Sequence, residues 1–488
     1  MNAYDFIVVG AGPAGTVIAH RLTEDPEVRV LLLEMADGRT PQAYRSEPQM
    51  ALQGRRIDEP RGTLPGGSAF AWAHVRGHPS DFDAWAHQGC PGWAWQSVLP
   101  YFQRMEDEAG TSARCHVASP ASGAFIEACQ ESGYPLTQDF NGPRMEGAGW
   151  HHLHLKQGKR HGVDVATLLL ARARPNLTLV TGAQATRLLF EGSDCMGVEY
   201  HHQGRRESAY AVEEVVLCGG ALESPKLLLL SGIGQPERLE RLGVPMHSAL
   251  PGVGENLHNH VLTGVVRECT GPQPVPAPSS GVCESALFCH SSYGWLGPDL
   301  RLAFLHGPPD KALGQKHPNT LSILPGVVRP LSRGWVRLAS RDPLARPSFN
   351  PNYLAVEADV TRLMRGVELA RELFATQAFR GQVGSELMPG PGVGHRAQLR
   401  TFVQRAADSG QQPAGSCRMG LDAMAVVDPE LRVFGIGGLR VADASVMPSL
   451  PSGDSHAAVV MIAEKCADLL QAAHGLRART VTARPPCL

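Results

Sequence analysis

Phe6-Ile7-Val8-Val9-Gly10-Ala11-Gly12-Pro13-Ala14-Gly15, close to the start of the chain, decides how the rest is read. Its four apolar residues have the make-up of a buried parallel strand. Glycines 10, 12 and 15 follow at the spacing G-x-G-x-x-G. Thr16 to Leu22 then carries a helical pattern, and Val28 to Leu33 reads as a second apolar strand ending in Glu34. Together these segments make a β-α-β unit. In such a unit Gly10 permits a tight turn, Gly12 lets backbone approach a pyrophosphate, and Gly15 lets helix pack on strand. The helix N-terminus offers N–H groups and partial positive charge to the phosphates. Glu34 stands 19 residues past Gly15, where a carboxylate accepts both ribose hydroxyls. An acid there favours a free 2′-hydroxyl, hence FAD or NAD over NADP. The motif leaves the choice between FAD and NAD open.

The chain around this unit has 488 residues, enough for two or three domains. At 43% hydrophobic and 19% charged it is expected to fold as a soluble globule. Lys plus Arg is 45 against 47 Asp plus Glu. That balance provides no polyanion-binding field, which argues against nucleic acid as a partner. No apolar run approaches the ~18–20 residues of a membrane span. The opening residues show neither a basic n-region nor a cleavage site, so a cytoplasmic protein is expected. The 11 cysteines are scattered without a CxxC pair, which points to neither a disulfide scaffold nor a zinc site. His152 and His154 would share one face of a strand, but no Asp, Glu or Cys stands at helpful spacing, and no metal is expected.

Further stretches are individually distinctive. Arg61-Gly62-Thr63-Leu64-Pro65-Gly66-Gly67-Ser68 leads into Val75-Arg76-Gly77-His78-Pro79. The buried strand Val215-Val216-Leu217-Cys218 meets a second glycine turn at Gly219-Gly220-Ala221, which runs on to Ser224-Pro225-Lys226. Later come Gly252-Val253-Gly254-Glu255-Asn256-Leu257 with His260, and Ser332-Arg333-Gly334-Trp335-Val336-Arg337-Leu338. Near the C-terminus stand Gly415-Ser416-Cys417-Arg418-Met419-Gly420 and Leu439-Arg440-Val441-Ala442-Asp443-Ala444. Over nearly its whole length the chain resembles the glucose–methanol–choline (GMC) family of FAD-dependent alcohol oxidases and dehydrogenases.

The resemblance implies an α/β fold: a Rossmann-like FAD-binding domain with a second, α+β substrate-binding domain on an antiparallel sheet. The expected division is a discontinuous FAD domain from 1–155, 170–260 and 412–475, a substrate domain over 261–411, and a mobile tail at 476–488. The cofactor set it implies is Gly10, Gly12, Pro13, Ala14, Gly15, Glu34, Gly66, Gly67, Ser68, Ala185, Gly219, Asp443, Ala444 and Ala457. The proline-rich stretch Gly271 to Ser280 is expected to be a loop or linker.

Removing hydride from an alcohol requires a base for the hydroxyl proton, and neutral imidazole suits that near pH 7. The family places such a histidine just before G-[ST]-C-x-M-G, where this chain has Gln412-Pro413. Its second polar position, often Asn, is His456 here, in Asp454-Ser455-His456-Ala457. The expectation is therefore an exchange of roles, with His456 as base and Gln412 as second contact to the substrate oxygen. The flavin loop departs too: after Gly66-Gly67-Ser68 it is about two residues shorter and lacks the family's Asn. It also lacks a histidine that could link to the cofactor, so non-covalent FAD is expected. His74 reads as a packed strand residue and Cys417 as a small buried hydrophobe. The leading function is FAD-dependent oxidation of a primary or secondary alcohol, with dioxygen or a quinone as electron acceptor. The alternative on the same fold is a hydroxynitrile-type lyase with no net redox. An NAD-dependent dehydrogenase accounts for the first 35 residues and nothing after them.

Overall fold

The computed structural model describes residues 3–37, 42–61, 74–109, 113–114, 119–153, 155–156, 159–160, 171–271, 283–292, 294, 296–308, 317 and 319–476. Gly66, Gly67, Ser68, His154, most of the proline-rich stretch and the tail from 477 lie outside these residues.

Ala3–Val9 is a middle strand of the first sheet. Val30–Glu34 and then Leu177–Thr181 run parallel on one side of it, and the long strand Arg205–Leu217 runs parallel on the other. The first half of Arg205–Leu217 continues into an antiparallel meander with Asp194–His202 and Ala183–Glu191. Its last residues pair in parallel with Leu439–Val441. One strand therefore joins a cofactor-type parallel sheet to an antiparallel extension. The expected β-α-β unit is present, with the helix starting at Pro13, where a proline's missing N–H costs nothing.

The helices Pro13–Leu22 and Ser455–Ala473 pack on each other against this sheet. Arg21 and Glu464 cross between them as a buried bidentate pair, both bonds at 2.8 Å. Charge-assisted fork geometry of this kind fixes register as well as proximity. The pairing matters for the site, because the C-terminal helix carries His456 in its first turn, about two turns before Glu464.

The second sheet is antiparallel, in the order Val383–Met388, Val265–Cys269, Thr320–Val327, Leu300–His306, Cys283–Cys289, Gly147–Trp150. The helices Glu357–Phe374 and Pro120–Glu131 pack on it through residues such as Phe125, Phe304, Ile323 and Val367. Thr320–Val327 and Cys283–Cys289 are buried at every position, so this sheet is covered on both faces. The strand Gly147–Trp150 belongs to it, although the sequence reading placed everything up to 155 in the FAD domain. The reason is steric. A Cβ on Gly147 would lie 2.5 Å from the Pro135 carbonyl oxygen, and one on Gly149 would lie 2.7 Å from that of Thr137. Only a near-bare backbone fits beside residues 135–137, which pair in parallel with Ala148, and such a strand shows no apolar alternation to be read.

Candidate active site

The parallel strands deliver their C-terminal ends to one cleft, the place where open α/β sheets take ligands. Its walls include Gly10, Gly12, Pro13, Ala14, Glu34, Ala185, Gly219, Asp443, Ala444 and His456 from the expected set. Gly15 and Ala457 stand behind the wall, packed against protein.

The three glycines of the first turn do three different jobs. Gly10 has φ +107°, and a Cβ there would meet the Cys218 carbonyl oxygen at 2.4 Å. A Cβ on Gly15 would meet the Gly10 carbonyl oxygen at 1.8 Å. A Cβ on Gly12 would meet nothing within 4 Å, because it points into the open cleft. Gly12 is also the helix N-cap, and no side chain caps the turn. The cradle is thus closed toward the protein and open toward a phosphate group, which fits FAD.

Glu34 ends its strand with both carboxylate oxygens on backbone donors, Oε2 taking the Ala11 N–H and Oε1 the Ala36 N–H, each at 2.7 Å. It ties the glycine turn to the strand end and keeps further lone pairs for ribose hydroxyls. Glu34→Ala is expected to weaken FAD binding at least tenfold, since each charge-assisted bond is of order ~1.5–3 kcal/mol. Equilibrium dialysis showing unchanged affinity would remove Glu34 from the cofactor site.

At the second glycine turn Asp443 works on the protein. Its carboxylate accepts from Gly220 N–H at 2.8 Å, the Ser224 hydroxyl at 2.6 Å and Ser445 N–H at 2.8 Å. It binds the strand end Leu439–Val441 to the start of the helix Gly220–Leu230 and so shapes the cleft wall. Sequence reasoning passed over Glu223 and Lys226, which also line the cleft, paired at 3.3 Å. Their signal was available: they are the sole charged residues of that helix, three apart.

His456 is the second residue of the C-terminal helix. Its N-cap, Asp454, is buried, and the Arg301 guanidinium 2.6 Å away, helped by Gln412, holds its carboxyl low against the opposing effect of burial. Gln412 is placed beside this turn with both ends of its amide on protein. Nε2 donates to Asp454 Oδ1 at 2.9 Å and Oε1 accepts the Ser455 N–H at 2.7 Å. The side chain expected to touch substrate oxygen thus clamps the turn that carries the imidazole.

Other histidines are occupied elsewhere. Burial pushes His260 down to about 4, and its Nε2 lies 3.2 Å from the Pro451 carbonyl oxygen. His74 is buried against Glu106 at 2.8 Å, packed as its sequence context predicts but outside any strand. Cys417 is fully buried, and burial pushes its thiol well up. His151 lies 3.6 Å from Cys283 and His152 3.6 Å from Asp139. Among the described residues no three His, Cys, Asp or Glu side chains are placed to hold a metal ion. No described helix is long and apolar enough to cross a membrane.

A dinucleotide cleft at the ends of a parallel sheet, with an imidazole in its wall and an antiparallel sheet alongside, fits a nucleotide-dependent oxidoreductase. The chain belongs to the GMC oxidoreductase family, whose N-terminal domain matches residues 4–262 and whose C-terminal domain matches 330–463. It is 38% identical to mitochondrial choline dehydrogenase of Homo sapiens, over 96% of this chain and 90% of that one. To the oxygen-dependent choline dehydrogenase of Chromohalobacter salexigens it is 37% identical, over 96% and 95%. Among solved structures, pyridoxine 4-oxidase from Mesorbium loti superposes with TM-score 0.88 at 32% identity, over 96% of this chain and 99% of that one. Formate oxidase of Aspergillus oryzae gives 0.87 at 26%, over 97% and 99%. The chain is an FAD-dependent oxidoreductase acting on CH–OH donors. The lyase alternative gains no support from these relatives.

Proposed function

We propose that the enzyme oxidises a primary alcohol on a small polar molecule, with His456 taking the hydroxyl proton. The observation that carries this reading is the position of His456 in the wall of the cleft that holds the Gly10–Gly15 cradle and Glu34. The relatives' names, choline dehydrogenase and pyridoxine 4-oxidase, both refer to molecules with a primary alcohol group. FAD supplies the hydride acceptor when bound. His456 supplies the base, and proton removal lets the carbinol carbon release hydride without leaving a protonated carbonyl. Gln412 and Asp454 hold the helix turn so that the imidazole stays aimed at the alcohol. Pro13, Ala14, Ala185 and Ala444 give the cofactor close, uncharged walls.

In this reading residues 1–155, 170–260 and 412–475 form the FAD-binding unit, with Gly147–Trp150 lent to the sheet of the substrate unit at 261–411. The 11 cysteines, scattered along the sequence without a CxxC pair, suit a reducing compartment such as the cytoplasm. Dioxygen or a quinone reoxidises the flavin.

The test is anaerobic mixing of the yellow protein with a panel of alcohols that includes choline and pyridoxine. Bleaching of the flavin band by at least one alcohol is expected. A band that stays oxidised with every alcohol while a cyanohydrin is cleaved would sink the proposal. The same preparation tests the linkage: acid precipitation should release the colour into the supernatant, and a yellow pellet would show covalent attachment.

A further inference from the structure

Gln411 is a non-glycine residue with left-handed backbone, φ +60°. Such a conformation persists when the surroundings hold it. Two side chains hold this one. Ser409 Oγ accepts the Gln411 N–H at 2.8 Å, and Asn259 Oδ1 accepts the Gln412 N–H at 2.8 Å. Both of those side chains donate to a single buried atom. Glu59 Oε1 takes the Ser409 hydroxyl at 2.6 Å and Asn259 Nδ2 at 2.9 Å, with the Tyr353 hydroxyl as third donor at 2.8 Å. An ionised carboxylate accepts only, so it fixes which way each neighbour turns. With Asn259 Nδ2 drawn to Glu59, Oδ1 faces Gln412. With the Ser409 proton drawn to Glu59, its oxygen faces Gln411.

We infer that Glu59 is a positioning residue for the oxidation: it orders Ser409 and Asn259, which fix the Gln411–Gln412 turn, whose Gln412 amide sets the helix turn carrying His456. The inference rests on the reading of His456 as base, and it adds a control point on another element, the strand Asp58–Arg61.

The carboxyl also changes charge in the working range. Burial pushes Glu59 up to about 7, with Asp408 adding to the effect and the bonds from Ser409, Tyr353 and Asn259 opposing it. Asp408 and Tyr353 are the titratable groups that face it. The others on the surrounding elements point elsewhere: His260 to the Pro451 carbonyl, the Tyr44 hydroxyl to Glu223, Arg55 to the Ala407 carbonyl, and Asp58 to Arg45 at the surface. Protonated Glu59 carries an O–H of its own among these donors and is a weaker acceptor, which loosens the arrangement of Asn259, whose Nδ2 also meets the Tyr353 and Ser409 oxygens at 2.7 and 3.0 Å. The ordered turn therefore belongs to the ionised form, and activity gains from a rise in pH through about 7. Stability runs the other way. The folded value of about 7 exceeds the ordinary 4.5, so Glu59 contributes stability that is present below 4.5 and lost as pH rises toward 7.

The experiment compares FAD-loaded wild type, Glu59→Gln and His456→Ala by anaerobic flavin reduction across pH, with thermal melts of the same samples. For Glu59→Gln we expect at least a tenfold lower reduction rate, an apparent substrate Kd within about twofold, and loss of the rise in rate through about pH 7. The melting temperature of wild type should decline relative to the variant between pH 4.5 and 7. A wild-type rate and pH profile in Glu59→Gln, with His456→Ala inactive, would overturn this inference alone. Full activity in His456→Ala would overturn the base assignment instead. Should Glu59→Gln fail to load cofactor, Ser409→Ala removes one of the two struts and leaves the carboxylate its other donors. It is expected to slow reduction several-fold, and wild-type kinetics there would overturn the inference equally.

Discussion

Gly12→Val is expected to give a folded protein that no longer holds FAD. The backbone at Gly12 is extended, φ −73° and ψ −174°, which any residue adopts. A Cβ there meets no protein atom within 4 Å. The cost to the unliganded fold is that of a poorer N-cap, ~1 kcal/mol. The added isopropyl group instead fills the space through which a pyrophosphate reaches the first N–H groups of the helix. Losing two charge-assisted backbone bonds, each ~1.5–3 kcal/mol, weakens binding on the order of 10²–10⁴-fold. Gly15→Ala is the contrasting variant, since its Cβ would lie 1.8 Å from the Gly10 carbonyl oxygen and the fold itself would fail. Thermal melts of the apoprotein beside an FAD titration separate the two outcomes. Cofactor affinity retained in Gly12→Val would mean that the phosphates lie elsewhere.

The first turn could be read from sequence because its information is steric and local. Gly10 and Gly15 each answer one close approach, to the adjoining strand end at Cys218 and to the Gly10 carbonyl, while Gly12 keeps the cleft side open. The second glycine turn at Gly219-Gly220 was legible for the same reason, with Gly220 at φ +80°. His456 was marked by the family resemblance together with its residue type, and it lines the cleft. What residue type does not convey is where an amide points. Gln412 reads as a contact to substrate, yet its two ends meet Asp454 and Ser455, 42 and 43 residues further on. The Glu59 cluster is more remote still, gathering partners 200, 294 and 350 residues away, and no periodicity records such a convergence. Gly147–Trp150 escaped for the opposite reason: its glycines answer the residues 135–137 paired alongside and leave no apolar pattern.

His456→Ala is expected to slow flavin reduction on the order of 10²–10⁴-fold, the usual worth of a positioned general base. The fold and the cofactor should survive the change. The residue sits in the cleft wall, only partly buried, while the helix it begins is anchored by Arg21 to Glu464 and by a run of buried residues from Ala457 to Ala463. Gln412→Ala acts through a different route. It removes the cap on Ser455 N–H, a bond worth ~0.5–1.5 kcal/mol, and a charge-assisted bond to Asp454 worth ~1.5–3 kcal/mol, so a lower melting temperature should accompany a several-fold slower reduction. Gln412→His puts an imidazole at the family's usual first position. In the double variant with His456→Asn it should recover part of the rate lost in His456→Asn alone, because a base then stands on the other side of the same turn. The decisive comparison is anaerobic reduction in wild type, both alanine variants and the double variant. A larger loss in Gln412→Ala than in His456→Ala would mean that the proton leaves by another route, with His74 or a bound water as the next candidate, and the assignment of His456 as base would fall.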